Sequence, residues 1–304
     1  MPTINVLGVP HRYDLTAPTD SSEVLVFVHG WLLSRSYWKP LTEKLAIDHQ
    51  CLAYDLRGFG DSQPCQVTQL PLEVQSSAET CTTMTLQAPS GYSLQDYAKD
   101  LGILLETLNL KNVWLVGHSL GGSIALWAAD EMGDRVKGVI CMNAGGGIYL
   151  KEEFERFRSA GQQIVRMRPR WLCHVPLIDL LFIRASVATA IARSWAKQRL
   201  IDFVIADPEA ALGTLLDSTT EAEVHRLPQV VARLQQPIYF IAGSSDPIME
   251  PKYVRHLASF HRSFGDCGEN VFEIPECGHL AMVEQTDAVA VQIRGILQRA
   301  RSIS

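Results

Sequence analysis

The sequence predicts an α/β protein, with a mainly parallel sheet covered by helices on both faces and a helical cap inserted late in the chain. Three observations carry this. Short runs rich in Val, Ile and Leu alternate with stretches of helical spacing along most of the 304 residues. The alternation breaks between Gly145 and Pro228, where the pattern is helical throughout although a short crossover would join the flanking strands. A Gly-x-Ser-x-Gly turn, residues 117–121, lies between an apolar strand and a helix of small residues.

Two weak strands come first, at Ile4–Leu7 and His11–Leu15, with Gly8-Val9-Pro10 as the turn of an antiparallel start. Six stronger strands follow at Val24–His29, Cys51–Asp55, Val113–Gly117, Val136–Met142, Pro237–Ala242 and Asn270–Ile274. Helices are predicted over Tyr37–Ala46, Leu94–Leu108, Leu120–Met132, Pro251–Phe260 and Ala281–Arg299. Residues 63–91, rich in Ser, Thr, Gln and Pro and almost uncharged, read as a long surface loop, either a flap or a passive insertion. The expected organisation is a core of residues 1–144 and 229–304, with the cap at 145–228.

About half of the positions are apolar, enough at this length for one filled core plus a modest inserted subdomain. A net charge of −6 gives no sign of a nucleic-acid partner. The seven cysteines lack metal-type spacing and their odd number suggests reduced thiols; only Cys65 with Cys81 and Cys267 with Cys277 are candidate bridges. The opening Met-Pro-Thr-Ile-Asn has no basic-then-apolar leader pattern, and no apolar run is long enough to span a bilayer, so a soluble cytoplasmic protein is expected. The run Val175–Ile183 is too short to cross a membrane and carries Asp179, but it could lie on one.

The chemistry concentrates at the Gly117–Gly121 turn. Glycines two before and two after Ser119 leave room for a tight strand-to-helix bend that thrusts the hydroxyl out at a helix N-terminus, where developing negative charge is favoured. Serine needs a base, and the base needs a group that fixes its tautomer. His279 follows the last strand in a turn just before the final helix, free to reach the carboxyl edge of the sheet. Asp246 follows the strand before it and is the expected orienting acid, since Asn143 at the competing position has no carboxylate to offer. His118 is expected to direct its side chain away from Ser119 and pack within the elbow. Most of the remaining histidines, His11, His49, His174, His225, His256 and His261, are expected to be solvated.

An oxyanion hole needs two backbone N–H donors, and Leu120 and Trp31 are placed to supply them, with Gly30 permitting close backbone approach. The Trp31 ring either lies near the pocket floor or packs in the core. Gly30, Trp31, His118, Asn143, Trp171 and Phe182 are the residues expected at the substrate.

His29-Gly30-Trp31, Asp55–Ser62, Gly117–Gly122, Gly243–Asp246 and Gly278-His279, in this order over nearly the whole chain, resemble the α/β-hydrolase superfamily. The resemblance implies eight strands, a cap after the sixth, a Ser119–Asp246–His279 triad, and chemistry without metal or organic cofactor. It gives the Asp55–Ser62 charges a packing role. Serine at the elbow, where related dehalogenases and epoxide hydrolases carry aspartate, implies acyl transfer. Cofactor-free haloperoxidases and carbon–carbon bond hydrolases also use serine there, commonly beside methionine; Leu120 leans against them. A ligand-binding receptor on the same fold is the reading from another class.

Between Lys151 and Lys197 basic positions mix with apolar and aromatic ones. Such a cap either dips into an anionic membrane to receive a lipophilic ester or simply packs on the sheet and lines the pocket. Asn143–Gly147 and the Asp55 segment are also similar to the chlorophyll dephytylase group, which implies the phytyl ester of chlorophyll as substrate. The expected partner is thus a small lipophilic ester, with oligomeric state open.

Overall fold

The computed structural model describes residues 2–64, 91–146 and 151–303. Nearly all of the 63–91 segment, with Cys65 and Cys81, lies outside the described residues.

Eight strands form one sheet: β1 (Thr3–Val6), β2 (Val9–Leu15), β3 (Val24–Val28), β4 (Gln50–Tyr54), β5 (Val113–His118), β6 (Val136–Met142), β7 (Ile238–Gly243) and β8 (Val271–Ile274). Their order is β1-β2-β4-β3-β5-β6-β7-β8. The first two strands pair antiparallel, β2 joins β4 antiparallel, and every later pairing is parallel. The first turn falls earlier than Gly8-Val9-Pro10. Leu7 and Gly8 both take positive φ and the Gly8 N–H donates to Asn5 Oδ1 at 2.8 Å, which frees Val9 and Pro10 to enter β2.

All five residues of β3 are buried, as a central parallel strand covered on both faces requires. Val24, Val26 and Val28 face a layer containing α2 (Leu94–Thr107) and α3 (Leu120–Met132). Leu25 and Phe27 face the opposite layer with α1 (Lys39–Leu45) and α11 (Thr286–Ile303). α2 begins where Ser93 and Asp96 cap each other reciprocally, and its Leu94, Tyr97, Ala98, Leu101, Leu104 and Leu105 repeat at helical spacing into the core. α3 is buried from Gly121 to Ala129, which its small side chains permit.

The turn after β4 is held by charge. Asp55 accepts the backbone N–H groups of Arg35 at 2.7 Å and Asp61 at 2.9 Å and pairs with the Arg35 guanidinium, while Arg57 donates to Asp100 at 2.9 Å. His11, His49 and His261 are buried, contrary to the expected exposure, because each ring finds a backbone or side-chain partner inside the fold.

Between β6 and β7 come α4 (Lys151–Arg166), a 3-10 turn (Arg170–His174), α5 (Ile178–Arg184), α6 (Arg193–Ile205), α7 (Pro208–Ser218) and α8 (Glu221–Arg233). The boundary expected at 228/229 falls inside α8, whose Leu227, Val230 and Val231 pack in the sheet core. After β7, α9 (Pro251–Ala258) and the short α10 (Ala281–Glu284) complete the element order ahead of α11. No described helix is long and apolar enough to cross a membrane. Cys51, Cys141, Cys173, Cys267 and Cys277 are free thiols, so Cys267 and Cys277 are not bridged.

Candidate active site

β5 ends at His118, and Ser119 sits beyond it at φ 51° and ψ −120°, where side chains are rarely tolerated. The bend is over-determined. Ser119 N–H donates to Met142 O at 2.9 Å, and Gly122 N–H returns to Ser119 O at 2.9 Å. The glycines are steric necessities: a Cβ on Gly117 would stand 2.2 Å from Gly121 O, and one on Gly121 would stand 2.2 Å from Val28 O. α3 starts at Leu120, so Ser119 occupies the N-cap position of the helix, with no side-chain capping hydrogen bond.

His279 is carried by the turn after β8. Its Nδ1 donates to Asp246 Oδ2 at 2.8 Å, a bond that fixes the ring orientation and, in the neutral ring, puts the lone pair on Nε2. Asp246, 3% exposed after β7, also accepts at Oδ1 the N–H groups of Ile248 at 2.8 Å and Met249 at 2.9 Å. Burial alone would raise its carboxyl. The facing His279 and the two backbone donors outweigh this and hold it below the ordinary carboxylate range.

Three residues that shape this cluster were not read as doing so from the sequence. Asn143, at φ 49° after β6, donates its side-chain amide to Asp246 Oδ2 at 2.8 Å and to Gly278 O at 3.2 Å. It was expected at the substrate, but it is fully buried behind the acid and is not among the cavity-lining residues. Glu284 accepts the N–H groups of Gly278 at 3.1 Å, Leu280 at 3.2 Å and Ala188 at 2.8 Å, so one carboxylate ties the His279 turn to the segment after α5. Arg199, on α6, donates to Leu32 O at 2.8 Å and also lines the cavity. A Glu five residues after a Gly-His and an Asn at a strand end are the only sequence signals these positions offered.

His118 lies against the base. Its Nε2 donates to His279 O at 2.7 Å and the two rings are 4.8 Å apart, edge to face. Burial, reinforced by the facing His279, holds the His118 pKa far below the usual histidine value, so the ring stays neutral. The loop after β3 is set by a second buried histidine. His29 accepts the Leu56 N–H at Nε2 (3.0 Å) and donates from Nδ1 to Gly30 O (2.8 Å), and burial pushes its pKa down to about 4. Gly30 packs on the elbow: a Cβ there would lie 2.8 Å from His118 Nδ1. Trp31 lines the cavity and anchors its indole N–H on Ala211 O at 2.9 Å. Among the described residues, neither the Trp31 nor the Leu120 backbone N–H has a hydrogen-bond acceptor.

Ser119, His118 and His279 open on one cavity of about 210 Å³, walled by Trp31, Leu33, Leu94, Leu120, Leu215, Ile248, Met249 and Leu280. Trp171 and Phe182 are not at this wall, contrary to expectation. Trp171 is 61% exposed, while its neighbour Leu172 in the same Arg170–His174 turn packs against the core. Phe182 is engaged within those helices, 4.8 Å from the Phe203 ring and under the Arg199 guanidinium. No group of three or more metal-ligating side chains occurs among the described residues.

The chain is 24% identical over 286 residues to 2-succinyl-6-hydroxy-2,4-cyclohexadiene-1-carboxylate synthase of Serratia proteamaculans, covering 90% of this chain and 92% of that one. A thermophilic esterase of Thermogutta terrifontis superposes with a TM-score of 0.73 at 21% identity, covering 99% of both chains. A bromoperoxidase of Bacillus anthracis superposes at 0.72 with 20% identity, covering 95% of this chain and 96% of that one. Likeness at this level shows a shared fold carrying different activities. Residues 25–292 match the family model of the alpha/beta hydrolases. With its eight-stranded sheet and the elbow at Ser119, this chain belongs to the alpha/beta hydrolase family.

Proposed function

We propose that the protein is a serine carboxylic-ester hydrolase that works through an acyl-enzyme. The observation that carries this is the 2.8 Å His279–Asp246 hydrogen bond at the same cavity as Ser119 on its strained turn. His279 Nε2 takes the Ser119 proton as Oγ attacks the ester carbonyl, and Asp246 stabilises the imidazolium. The carbonyl oxygen, gaining charge, is received by the Trp31 and Leu120 N–H groups. The alcohol leaves with the proton from His279. Water, deprotonated by the same nitrogen, then releases the acid and restores Ser119. Every proton in the cycle passes through His279, so the route needs no metal and no organic cofactor.

The apolar wall favours a lipophilic ester, of the kind a peripheral enzyme collects from a bilayer. The described cavity, about 210 Å³, is below the roughly 300–1,000 Å³ common for small-molecule sites. It suits an acyl or alkyl chain; with a phytyl ester of chlorophyll, the macrocycle would stay outside.

The test is initial hydrolysis of p-nitrophenyl esters from acetate to palmitate, with Ser119→Ala as blank, alongside a fluorophosphonate label located by mass spectrometry. Turnover above the blank with the label on Ser119 supports the proposal. No turnover on any ester, with Ser119 unlabelled, overturns it.

A further inference from the structure

Large apolar side chains are exposed mainly in one place. Eleven are exposed among the described residues, and eight of them lie between residues 164 and 205. Met167 is 75% exposed, Leu181 70% and Trp171 61%, with Leu177, Ile201 and Ile205 also open. Isolated exposed hydrophobes are ordinary; a concentration like this is not.

Part of this set is tied together at α6, against which α5 and the 3-10 turn pack. Ile201 and Ile205 are one helical turn apart on α6 and so share a face. Ile201 borders a shallow depression shared with Cys173, Pro176 and Leu177, which joins the 3-10 turn and the start of α5 to α6. Ile205 borders a second depression shared with Arg166, Arg168 and Arg170, and also with Asp61 and Asp207, which joins the end of α4 to α6. Arg199, two positions before Ile201, points the other way and lines the Ser119 cavity. The apolar surface is therefore the outer side of a helix whose inner side roofs that cavity.

Charge says what covers it. Residues 164–205 hold seven Arg or Lys against two Asp, a net of +5 in a chain whose total is −6. Both acids are buried, Asp179 with its ion pair to Arg193 and Asp202 with hydrogen bonds from Ser34 and Gln198. Arg166, Arg170, Arg184 and Lys197 are exposed and have no ion-pair partner among the described residues. Apolar side chains flanked by unpaired cations that outnumber the acids fit a surface that offers hydrocarbon beneath anionic headgroups. A tryptophan beside an arginine at the edge of such a patch suits the headgroup level.

We infer that the outer face of α5, α6 and the segment between α4 and α5 docks the protein on an anionic lipid bilayer. This rests on the ester-hydrolase reading only for its purpose, since docking there sets the cavity roof at the surface from which a lipophilic ester would arrive. The binding itself does not require turnover.

The experiment is co-sedimentation of the full chain carrying Ser119→Ala with phosphatidylcholine vesicles, with and without 30% phosphatidylglycerol. Binding to the anionic vesicles is expected, weakening as salt rises from about 0.1 to 0.5 M. The pair Met167→Asp and Leu181→Asp should cut the bound fraction about tenfold with an unchanged melting temperature. The charge reversals Arg184→Glu and Lys197→Glu, which leave the apolar face intact, should remove the preference for anionic vesicles. Equal binding to both vesicle types, no binding, or binding indifferent to both pairs overturns the inference. So does sedimentation velocity showing a dimer that Leu181→Asp dissociates, which would make the face a contact between copies. Failure of the p-nitrophenyl ester assay with vesicle binding intact would strike the hydrolase reading alone.

Discussion

Asp246 Oδ2 accepts two hydrogen bonds of equal length, 2.8 Å from His279 Nδ1 and 2.8 Å from the Asn143 side-chain amide. The base and a buried amide from another strand thus share one carboxylate oxygen. The amide fixes the oxygen's direction and adds a donor that favours the ionised acid.

Asn143→Ala removes that donor and leaves His279 to hold the carboxylate alone. A hydrogen bond to a charged group contributes about 1.5–3 kcal/mol, so kcat should fall roughly tenfold or more with KM little changed. Steady-state hydrolysis of p-nitrophenyl butyrate checks this. An unaltered kcat would remove Asn143 from any positioning role.

Arg199 bridges α6 and the loop carrying Trp31 through Leu32 O at 2.8 Å, at a residue held at φ 56°. Arg199→Gln shortens the tether and frees the loop. The expected result is a kcat lower by about tenfold, with recovery in Arg199→Lys, because a charged donor to one carbonyl is worth about 1.5–3 kcal/mol. Parallel melting curves separate this from a general loss of fold.

Gly30→Ala would place a methyl group 2.8 Å from His118 Nδ1 and 3.2 Å from Ser119 Cβ. Neither neighbour is the end of a flexible chain, so the loop or the elbow must move. A displacement of this kind costs about 10²-fold in rate when it approaches 1 Å. Circular dichroism should show a retained fold while ester turnover drops; wild-type turnover would mean the two loops are not in functional contact.

Burial raises the Asp202 carboxyl to about 7, against the hydrogen bonds from Ser34 and Gln198 that lower it. The native state then keeps a proton that the unfolded chain has already released, so this group costs stability as pH rises from its ordinary range toward 7. Above 7 the loss levels off. Asp202→Asn lacks the proton, so its stability relative to wild type should improve by roughly 3 kcal/mol between pH 5 and 8, at about 1.4 kcal/mol per pK unit. Urea unfolding of both proteins at the two pH values measures this; a constant difference would mean Asp202 titrates normally.

The sequence by itself carried the periodic and the local. Period-2 and apolar strand runs, helical spacing and the Gly117–Gly121 turn depend on residues close in the chain, so the strand sequence, the buried central strand β3 and the elbow at Ser119 were legible. Tertiary structure decided the contacts around the elbow that neither periodicity nor motif spacing carries. Asn143, passed over as the acid for lacking a carboxylate, is expected from the sequence at the substrate, yet the parallel pairing of β6 with β7 brings its amide against Asp246, 103 residues away. Trp171 and Phe182, within the cap, are expected from the sequence at the substrate. Helix packing rotated one outward to solvent and locked the other against Phe203. A helical repeat shows that a face exists but not which neighbour it meets, and that choice is made only when distant segments compete to bury the same surface.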